Sequence, residues 1–166
     1  MSLQAVTLGV AICEADHKVV EEGTNWGPRV REYLRNCDPP INVAAPWCAA
    51  FLAFVSDVAA RGLGVANPLD SVRLEAYVQS YYQWAKEGGR LISPQESIPG
   101  DLVLYNFRNV RWDHIGLLIT PPDDLGFMRC VEGNTNDAGS RDGDGVYMKI
   151  RSLKRNYPVA FVRWAA

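Results

Sequence analysis

The sequence predicts an α+β domain in which N-terminal helices pack on a C-terminal antiparallel sheet of about five strands. Two observations predict this class. Up to residue 88, apolar side chains recur at spacings of three and four residues, which is typical of amphipathic helices. From Gly89 onward, short runs of β-forming residues alternate with turn residues, and the tight connections between them favour antiparallel pairing.

The length and composition are those of one globular domain covering residues 1–166. With 48% hydrophobic and 22% charged residues, the chain can bury a sizeable core without disulfides or metals. Its formal net charge of -2 lacks the basic excess that nucleic-acid binding requires, so we expect no nucleic-acid partner. No apolar run is long enough to span a bilayer, so we expect no membrane insertion. We also expect a monomer.

Four helices are predicted. The first covers residues 3–20, and Pro28 opens the second, which ends near Asn36. The third runs from residue 47 to residue 61, and Ser71 caps a fourth that stops at Gly88-Gly89. Apolar spacing in the first helix predicts a buried face made of Leu3, Val6, Val10, Cys13, His17 and Val20. In the fourth helix it predicts a face made of Leu74, Tyr77, Val78, Tyr81 and Trp84 or Ala85.

The C-terminal half contains the predicted strands. Alternating or continuous apolar runs bounded by turn residues place them at residues 101–107, 114–120, 127–132, 145–151 and 159–164. Asp101 follows Pro99-Gly100, where its expected task is to close the turn into the first of these strands.

The third helix begins with the most reactive group in the sequence. Pro46 suits the first helical position, which places Cys48 in the first turn. A thiol at a helix N-terminus ionises more readily, and the thiolate is the nucleophilic form. The alternative is that Cys48 is a small buried hydrophobic residue, which is the commonest environment of a free cysteine.

A nucleophilic cysteine needs a base, and the base needs a polar group that orients it. The chain contains two histidines, of which His17 lies on the first helix, where it is expected to cap or pack that helix. His114 starts an apolar strand and is the better candidate for the base. Glu132, or Asn134 just beyond it, follows on the next strand and could hold the ring nitrogen that faces away from Cys48. The alternative is that His114 and Glu132 are ordinary strand ends.

No metal site is expected among the four cysteines, because they form no Cys-x-x-Cys pair and no histidine lies at zinc-ligand spacing. Asp123-Asp124 and the aspartates at 137, 142 and 144 suggest calcium, but neither group follows the spacing of a calcium loop. Exposed turns are the favoured explanation. We therefore expect neither a metal nor another cofactor.

Four short motifs follow one another along the chain: Pro46-Trp47-Cys48-Ala49-Ala50-Phe51, Pro99-Gly100-Asp101-Leu102-Val103, Asp113-His114-Ile115-Gly116-Leu117-Leu118 and Val131-Glu132-Gly133-Asn134-Thr135. Together they resemble the CHAP amidases and endopeptidases, which belong to the NlpC/P60 group of papain-like cysteine peptidases. The resemblance extends to Glu22-Gly23-Thr24-Asn25-Trp26-Gly27 before these motifs and to Ala160-Phe161-Val162-Arg163 after them.

The resemblance implies a papain-like domain that cleaves amide bonds of bacterial peptidoglycan through an acyl-enzyme. On this chain Cys48 matches the nucleophile, His114 the base and Glu132 the third member, with Asn134 assisting. Trp47 and Trp112 are candidate substrate-binding residues, although Trp47 could instead anchor the helix start in the core. The backbone N–H of Cys48 is one expected oxyanion donor, and the sequence identifies no second one.

Two other functions remain open from the sequence. The same site could act on a non-wall amide or transfer an acyl group, because fold does not settle function. The chain could also be a wall-binding module without turnover. The first residues lack a secretory signal, so we expect cytoplasmic synthesis followed by delivery through lysis, a phage particle or a secretion apparatus. The expected partners are then peptidoglycan and a holin or an immunity protein.

Overall fold

A computed structural model describes residues 1–136 and 143–165 of the chain. It contains four α-helices followed by a six-stranded antiparallel sheet, which confirms the predicted α+β class. The helices are α1 (Leu3–Asp16), α2 (Pro28–Asn36), α3 (Cys48–Leu63) and α4 (Val78–Glu87). The strands are β1 (Leu91–Ile92), β2 (Leu102–Tyr105), β3 (His114–Thr120), β4 (Phe127–Thr135), β5 (Gly145–Ser152) and β6 (Val159–Val162).

The sheet has one strand more than predicted, in the order β1-β6-β2-β3-β4-β5. The additional strand, β1, has only two residues, too few to show an alternating pattern, and it pairs with β6. All six strands pair antiparallel, so residues distant in sequence meet across the sheet. In the centre, β3 lies between β2 and β4, which brings the start of β3 close to the end of β4.

The predicted buried face of α1 was wrong, and so was its predicted end at residue 20. The helix ends at Asp16, and of the predicted face only Leu3 is fully buried. The buried side chains are displaced by one position around the helix and include three polar residues, Gln4, Thr7 and Glu14. Gln4 Nε2 donates to Asp101 Oδ1 at 2.8 Å, and Glu14 accepts from the guanidinium of Arg29. Because these partners satisfy Gln4 and Glu14, polarity does not mark the solvent side of this helix.

The fourth helix is also shorter than predicted. Ser71 does not cap it but ends a short 3-10 turn, and its hydroxyl accepts from the indole N–H of Trp84 at 2.8 Å. Leu74 has a positive φ of 59°, which no helix accommodates, so α4 begins only at Val78. Val78, Tyr81 and Ala85 form its buried face, whereas Leu74 is 56% exposed.

The third helix forms the centre of the molecule. It contacts α1 and α2 on one side and β3 and β4 on the other. Its small residues allow this close approach, and ten of its residues are buried. Gly64 ends the helix in the left-handed conformation, two residues beyond the predicted stop at Gly62. The first turn of α3 is therefore held against the centre of the sheet.

None of the helices within residues 1–136 and 143–165 combines the length and the apolar character needed to cross a bilayer.

Candidate active site

Cys48 is the first residue of α3, and Trp47 occupies the N-cap position. The first intrahelical bond, from the N–H of Phe51 to the carbonyl of Trp47, measures 2.8 Å. The N–H groups of the first turn have no carbonyl to bind within the helix, so they are available to an anionic oxygen. Cys48 is 4% exposed and lines an open cavity, as a nucleophile that must meet a substrate requires.

His114 and Glu132 form a hydrogen-bonded pair that is completely buried. His114 is the first residue of β3, and its Nε2 donates to Glu132 Oε2 at 2.7 Å. Of the two alternatives that the sequence left open for orienting the ring, Glu132 rather than Asn134 makes this contact. A carboxylate on Nε2 fixes the ring orientation and leaves Nδ1 for the group on the other side.

The environment favours a charged His114. Burial alone would lower the pKa of the ring, but the negative charge of Glu132 and the neighbouring Cys48 and Glu132 side chains outweigh it and raise the pKa to about 9. Burial tends to raise the pKa of Glu132, whereas hydrogen bonding to Arg151 and the charge of His114 hold it well below its usual range. At neutral pH the site therefore holds an imidazolium beside a carboxylate.

The second ring nitrogen of His114, Nδ1, indicates the role of Cys48. Within residues 1–136 and 143–165, Nδ1 of His114 is buried and has no hydrogen-bond partner. Cys48 is close enough to contribute to the raised pKa of the ring, although no hydrogen bond of standard geometry joins the thiol to Nδ1 among the described residues. Such bonds are often long without substrate and shorten when it binds. The arrangement can therefore exchange one proton between sulfur and ring.

Arg151 is a site residue that the sequence did not reveal. It lies on β5, donates from Nε to Glu132 Oε1 at 2.9 Å and also donates from Nη2 to Oε2. Its guanidinium lies 5.3 Å from the ring centroid of Tyr105 and 5.4 Å from that of Phe107. No sequence signal distinguishes this arginine from others on strands. The β4–β5 register places it opposite Met128, four residues from Glu132, and its long side chain extends along the sheet to reach the carboxylate.

The same two aromatic rings also hold His114. The His114 ring is stacked on Phe107 at 5.6 Å and tilted against Tyr105 at 5.8 Å. Since Tyr105 is completely buried at the end of β2, it gives the imidazole a rigid wall. Packing on two sides and the carboxylate on Nε2 leave the ring a single orientation.

Asn134 contacts the helix start rather than the histidine. In the amide orientation that satisfies both of its ends, Oδ1 accepts from the N–H of Trp47 at 3.1 Å and Nδ2 donates to the carbonyl of Gly143 at 2.9 Å. Asn134 has a φ of 54°, a left-handed conformation that asparagine tolerates, at an irregularity in the β4–β5 pairing. Asn134 therefore holds the backbone of Trp47, the residue that precedes Cys48.

Trp47 was predicted to bind substrate, and this prediction was wrong. The side chain is 0% exposed and packs on Tyr33 with ring centroids 5.6 Å apart. Its indole N–H donates to Glu21 Oε1 at 2.7 Å. Glu21 directly precedes the segment 22–27, to which the resemblance to the CHAP enzymes extends. The alternative prediction, that Trp47 anchors the helix start in the core, is confirmed.

Trp112 lines the cavity beside Cys48. The cavity measures about 250 Å³ and is bounded by Ile41, Ala45, Pro46, Cys48, Ala76, Tyr77, Val78, Arg111, Trp112 and Asp113. The indole of Trp112 stacks on Tyr82 with ring centroids 4.5 Å apart, and its backbone N–H donates to Gln79 Oε1 at 3.1 Å. Trp112 is thus held rigidly at the position where it was predicted to contact a substrate.

The four thiols differ in environment, and all of them are free. Burial, together with nearby carboxylates, raises the pKa of Cys37 to about 12. Burial also raises the pKa of Cys130, whose sulfur accepts from the hydroxyl of Tyr105 at 3.3 Å. Cys13 is exposed, and the histidine beside it, His17, donates from Nδ1 to the carbonyl of Cys13 at 2.7 Å. Cys48 lines a cavity and neighbours a buried histidine.

Asp101 and Asp123, which lie outside this site, have structural partners. Asp101 accepts from the N–H of Ile98 at 2.8 Å and pairs with Arg163, so its predicted turn-closing task is confirmed. Asp123 Oδ1 accepts from two backbone N–H groups of its own turn, as an exposed turn requires. In the described part of the chain, no group of three or more His, Cys, Asp or Glu side chains could hold a metal ion. Positions 137 and 142 lie outside the described residues.

Gly116 provides a test of the Glu132 position. A Cβ at this residue would lie 2.6 Å from Glu132 Cγ and 2.9 Å from the carbonyl oxygen of Val131. We expect Gly116→Ala to displace Glu132, to lower the free energy of unfolding by about 1–3 kcal/mol and to lower activity. Gly9→Ala in α1, where nothing lies within 4 Å, is the control and should retain both. Thermal melts and turnover measurements check this, and normal activity of the Gly116 variant would contradict it.

The geometry thus combines a cysteine at a helix start, a buried histidine–glutamate pair and an open cavity. These are the parts that nucleophilic catalysis requires. Comparisons with protein-family models, with curated proteins and with solved structures find no match for this chain.

Proposed function

We propose that this protein is a cysteine amidase or endopeptidase with a papain-like site, and that its substrate is bacterial peptidoglycan. One observation carries the catalytic part of the proposal. Cys48 begins a helix at an open cavity and neighbours His114, whose far nitrogen is held by a buried carboxylate. Since no family model matches, the geometry of this site carries more weight than the resemblance of the motifs.

The first half of the reaction transfers an acyl group to sulfur. The thiolate of Cys48 attacks the amide carbonyl carbon, and a C–S bond forms while the carbonyl oxygen becomes negative. The backbone N–H of Cys48 at the helix start stabilises this oxygen. His114 then donates its Nδ1 proton to the amide nitrogen as the C–N bond breaks, and the amine leaves.

The second half restores the enzyme. A water molecule gives a proton to Nδ1 of His114 and attacks the thioester carbon, and the C–S bond breaks. The carboxylic acid leaves, and the sulfur and the ring return to the thiolate and imidazolium forms. Glu132 remains ionised throughout and stabilises the imidazolium, because Arg151 and His114 both lower its pKa.

The choice of peptidoglycan rests on the four motifs that resemble CHAP enzymes. The cavity agrees with a peptide substrate, because it is small and mostly apolar and carries one charge of each sign. Delivery by a phage particle, by lysis or by a secretion apparatus, with a holin or an immunity protein as partner, belongs to the same proposal.

The proposal is tested by incubating the protein with purified cell walls and, separately, with a panel of small amides. Mass spectrometry of the soluble products identifies the bond that is cut. New amine and carboxyl ends in wall fragments support the proposal. Hydrolysis confined to the small amides would overturn the wall substrate and favour the non-wall amidase. Binding to walls without any new ends would overturn the enzymatic function.

A further inference from the structure

The cavity at Cys48 carries two charged side chains of opposite sign. Asp113 Oδ1 accepts from the N–H of Phe107 at 3.1 Å. Its Oδ2 forms an ion pair with Arg108, 3.3 Å from Nε, and makes no hydrogen bond within the described residues. Arg111 is exposed at the cavity rim. Its guanidinium lies 3.5 Å from the hydroxyl of Tyr77 and 5.7 Å from the centroid of that ring, and it has no acidic partner within residues 1–136 and 143–165.

The loop that carries Arg111 is held firmly in place. It connects β2 to β3 and ends at His114, so the cation and the catalytic base belong to one short segment. The N–H of Val110 donates to Asn106 Oδ1 at 3.0 Å, and the N–H of Asp113 donates to the carbonyl of Tyr105 at 3.0 Å. With fixed points on both sides, the backbone of Arg111 keeps a constant position relative to the site.

We propose that Arg111 binds a carboxylate of the substrate next to the amide that Cys48 attacks. A guanidinium offers two parallel N–H donors that match the two oxygens of a carboxylate. Most of the remaining cavity wall is apolar and suits a short aliphatic group between the carboxylate and the scissile bond. The substrate class is therefore a peptide with a free carboxylate close to the cleaved amide. This inference rests on the proposed function of the Cys48 site.

The test compares two alkylating agents that differ in charge. With iodoacetate and with iodoacetamide, the Cys48 sulfur forms a C–S bond as the C–I bond breaks and iodide leaves. The anionic reagent carries the carboxylate, and the neutral reagent carries an amide in its place. The ratio of the two rate constants at Cys48, measured by mass spectrometry of the peptide that contains it, reports carboxylate binding independently of any hydrolysis.

We expect Arg111→Gln to lower the iodoacetate-to-iodoacetamide ratio at Cys48 by about fivefold, because partly exposed ion pairs have effects of this size. Arg111→Lys should give an intermediate ratio, because it keeps the charge but loses the paired donors. Arg35→Gln on α2 is the matched control. It removes the same charge from an exposed position that does not line this cavity. Its ratio should stay close to that of the unaltered protein.

An unchanged ratio in Arg111→Gln would overturn the proposal. An equal fall in Arg35→Gln would overturn it as well, since the effect would then come from the net charge of the protein and not from a contact with Arg111. The two proposals fail in different ways. If the iodoacetate-to-iodoacetamide ratio depends on Arg111 but the protein cleaves no cell wall, the proposal of a peptidoglycan substrate is wrong and carboxylate binding remains supported. A protein that cleaves walls with no charge preference contradicts only the role of Arg111.

Discussion

Replacing Cys48 by alanine is expected to abolish amide cleavage, with a fall in rate on the order of 10⁵-fold, because the reaction then lacks its nucleophile. The substitution removes a single sulfur atom from a site that faces a cavity, so the protein should still fold. Cleavage of purified cell walls, followed as released amines, measures the effect. A thermal melt of the same preparation shows whether the fold is retained.

The matched control is Cys13→Ala, which removes the one exposed thiol and should leave the rate unchanged. The buried thiols are poorer controls, because Cys130 accepts a hydrogen bond from Tyr105 and Cys37 is packed in the core. If the folded Cys48→Ala protein still released amines at the normal rate, the nucleophile would be a different group and the proposed mechanism would be wrong.

Replacing Glu132 by glutamine is expected to lower stability and change its pH dependence. The substitution removes the carboxylate charge from the buried pair that Glu132 forms with Arg151, and removing one charge of a buried ion pair typically costs about 3–5 kcal/mol. It also removes the charge that raises the pKa of His114. The ring should then lose its proton at a lower pH, so the alkaline limit of activity should move to lower pH as well.

The direction in which stability changes with pH follows from the pKa shifts of His114 and Glu132. His114 has a pKa raised to about 9, so its contribution to stability is complete below its unfolded pKa and is lost as the pH rises to about 9. Glu132 has a lowered pKa, so its contribution is complete above its unfolded pKa and is lost in acid. Between the unfolded values of about 4.3 and 6.5 both contributions are present, and the unaltered protein should be most stable there.

Thermal melts from pH 4 to pH 10 check this prediction, and in Glu132→Gln the loss of stability between about 6.5 and 9 should shrink. Glu14→Gln is the control, since Glu14 also forms an ion pair, a partly buried one with Arg29, but lies outside the site. It should lower stability and leave the pH profile of activity unaltered. An alkaline profile of Glu132→Gln identical to that of the unaltered protein would contradict the assigned role of Glu132.

The elements were largely predictable because their signals are local. The helix that starts at Cys48 follows from Pro46 and the apolar spacing after it, and the predicted limits of β3 coincide with the observed His114–Thr120. The predictions were wrong where the burial of a side chain depends on a partner that is distant in the sequence. Gln4 and Glu14 are buried because Asp101 and Arg29 satisfy them, which no pattern within α1 indicates.

The sequence by itself determined the α+β class, the order of the elements and the residue types of the site, because hydrophobic period and turn chemistry act over a few residues. Only the tertiary structure decided how these residues meet. Sheet pairing gave His114 its carboxylate, and the long side chain of Arg151 reached Glu132 from a neighbouring strand. Core packing buried Trp47 and left Trp112 at the cavity. These contacts join residues far apart in the chain, so no local pattern encodes them.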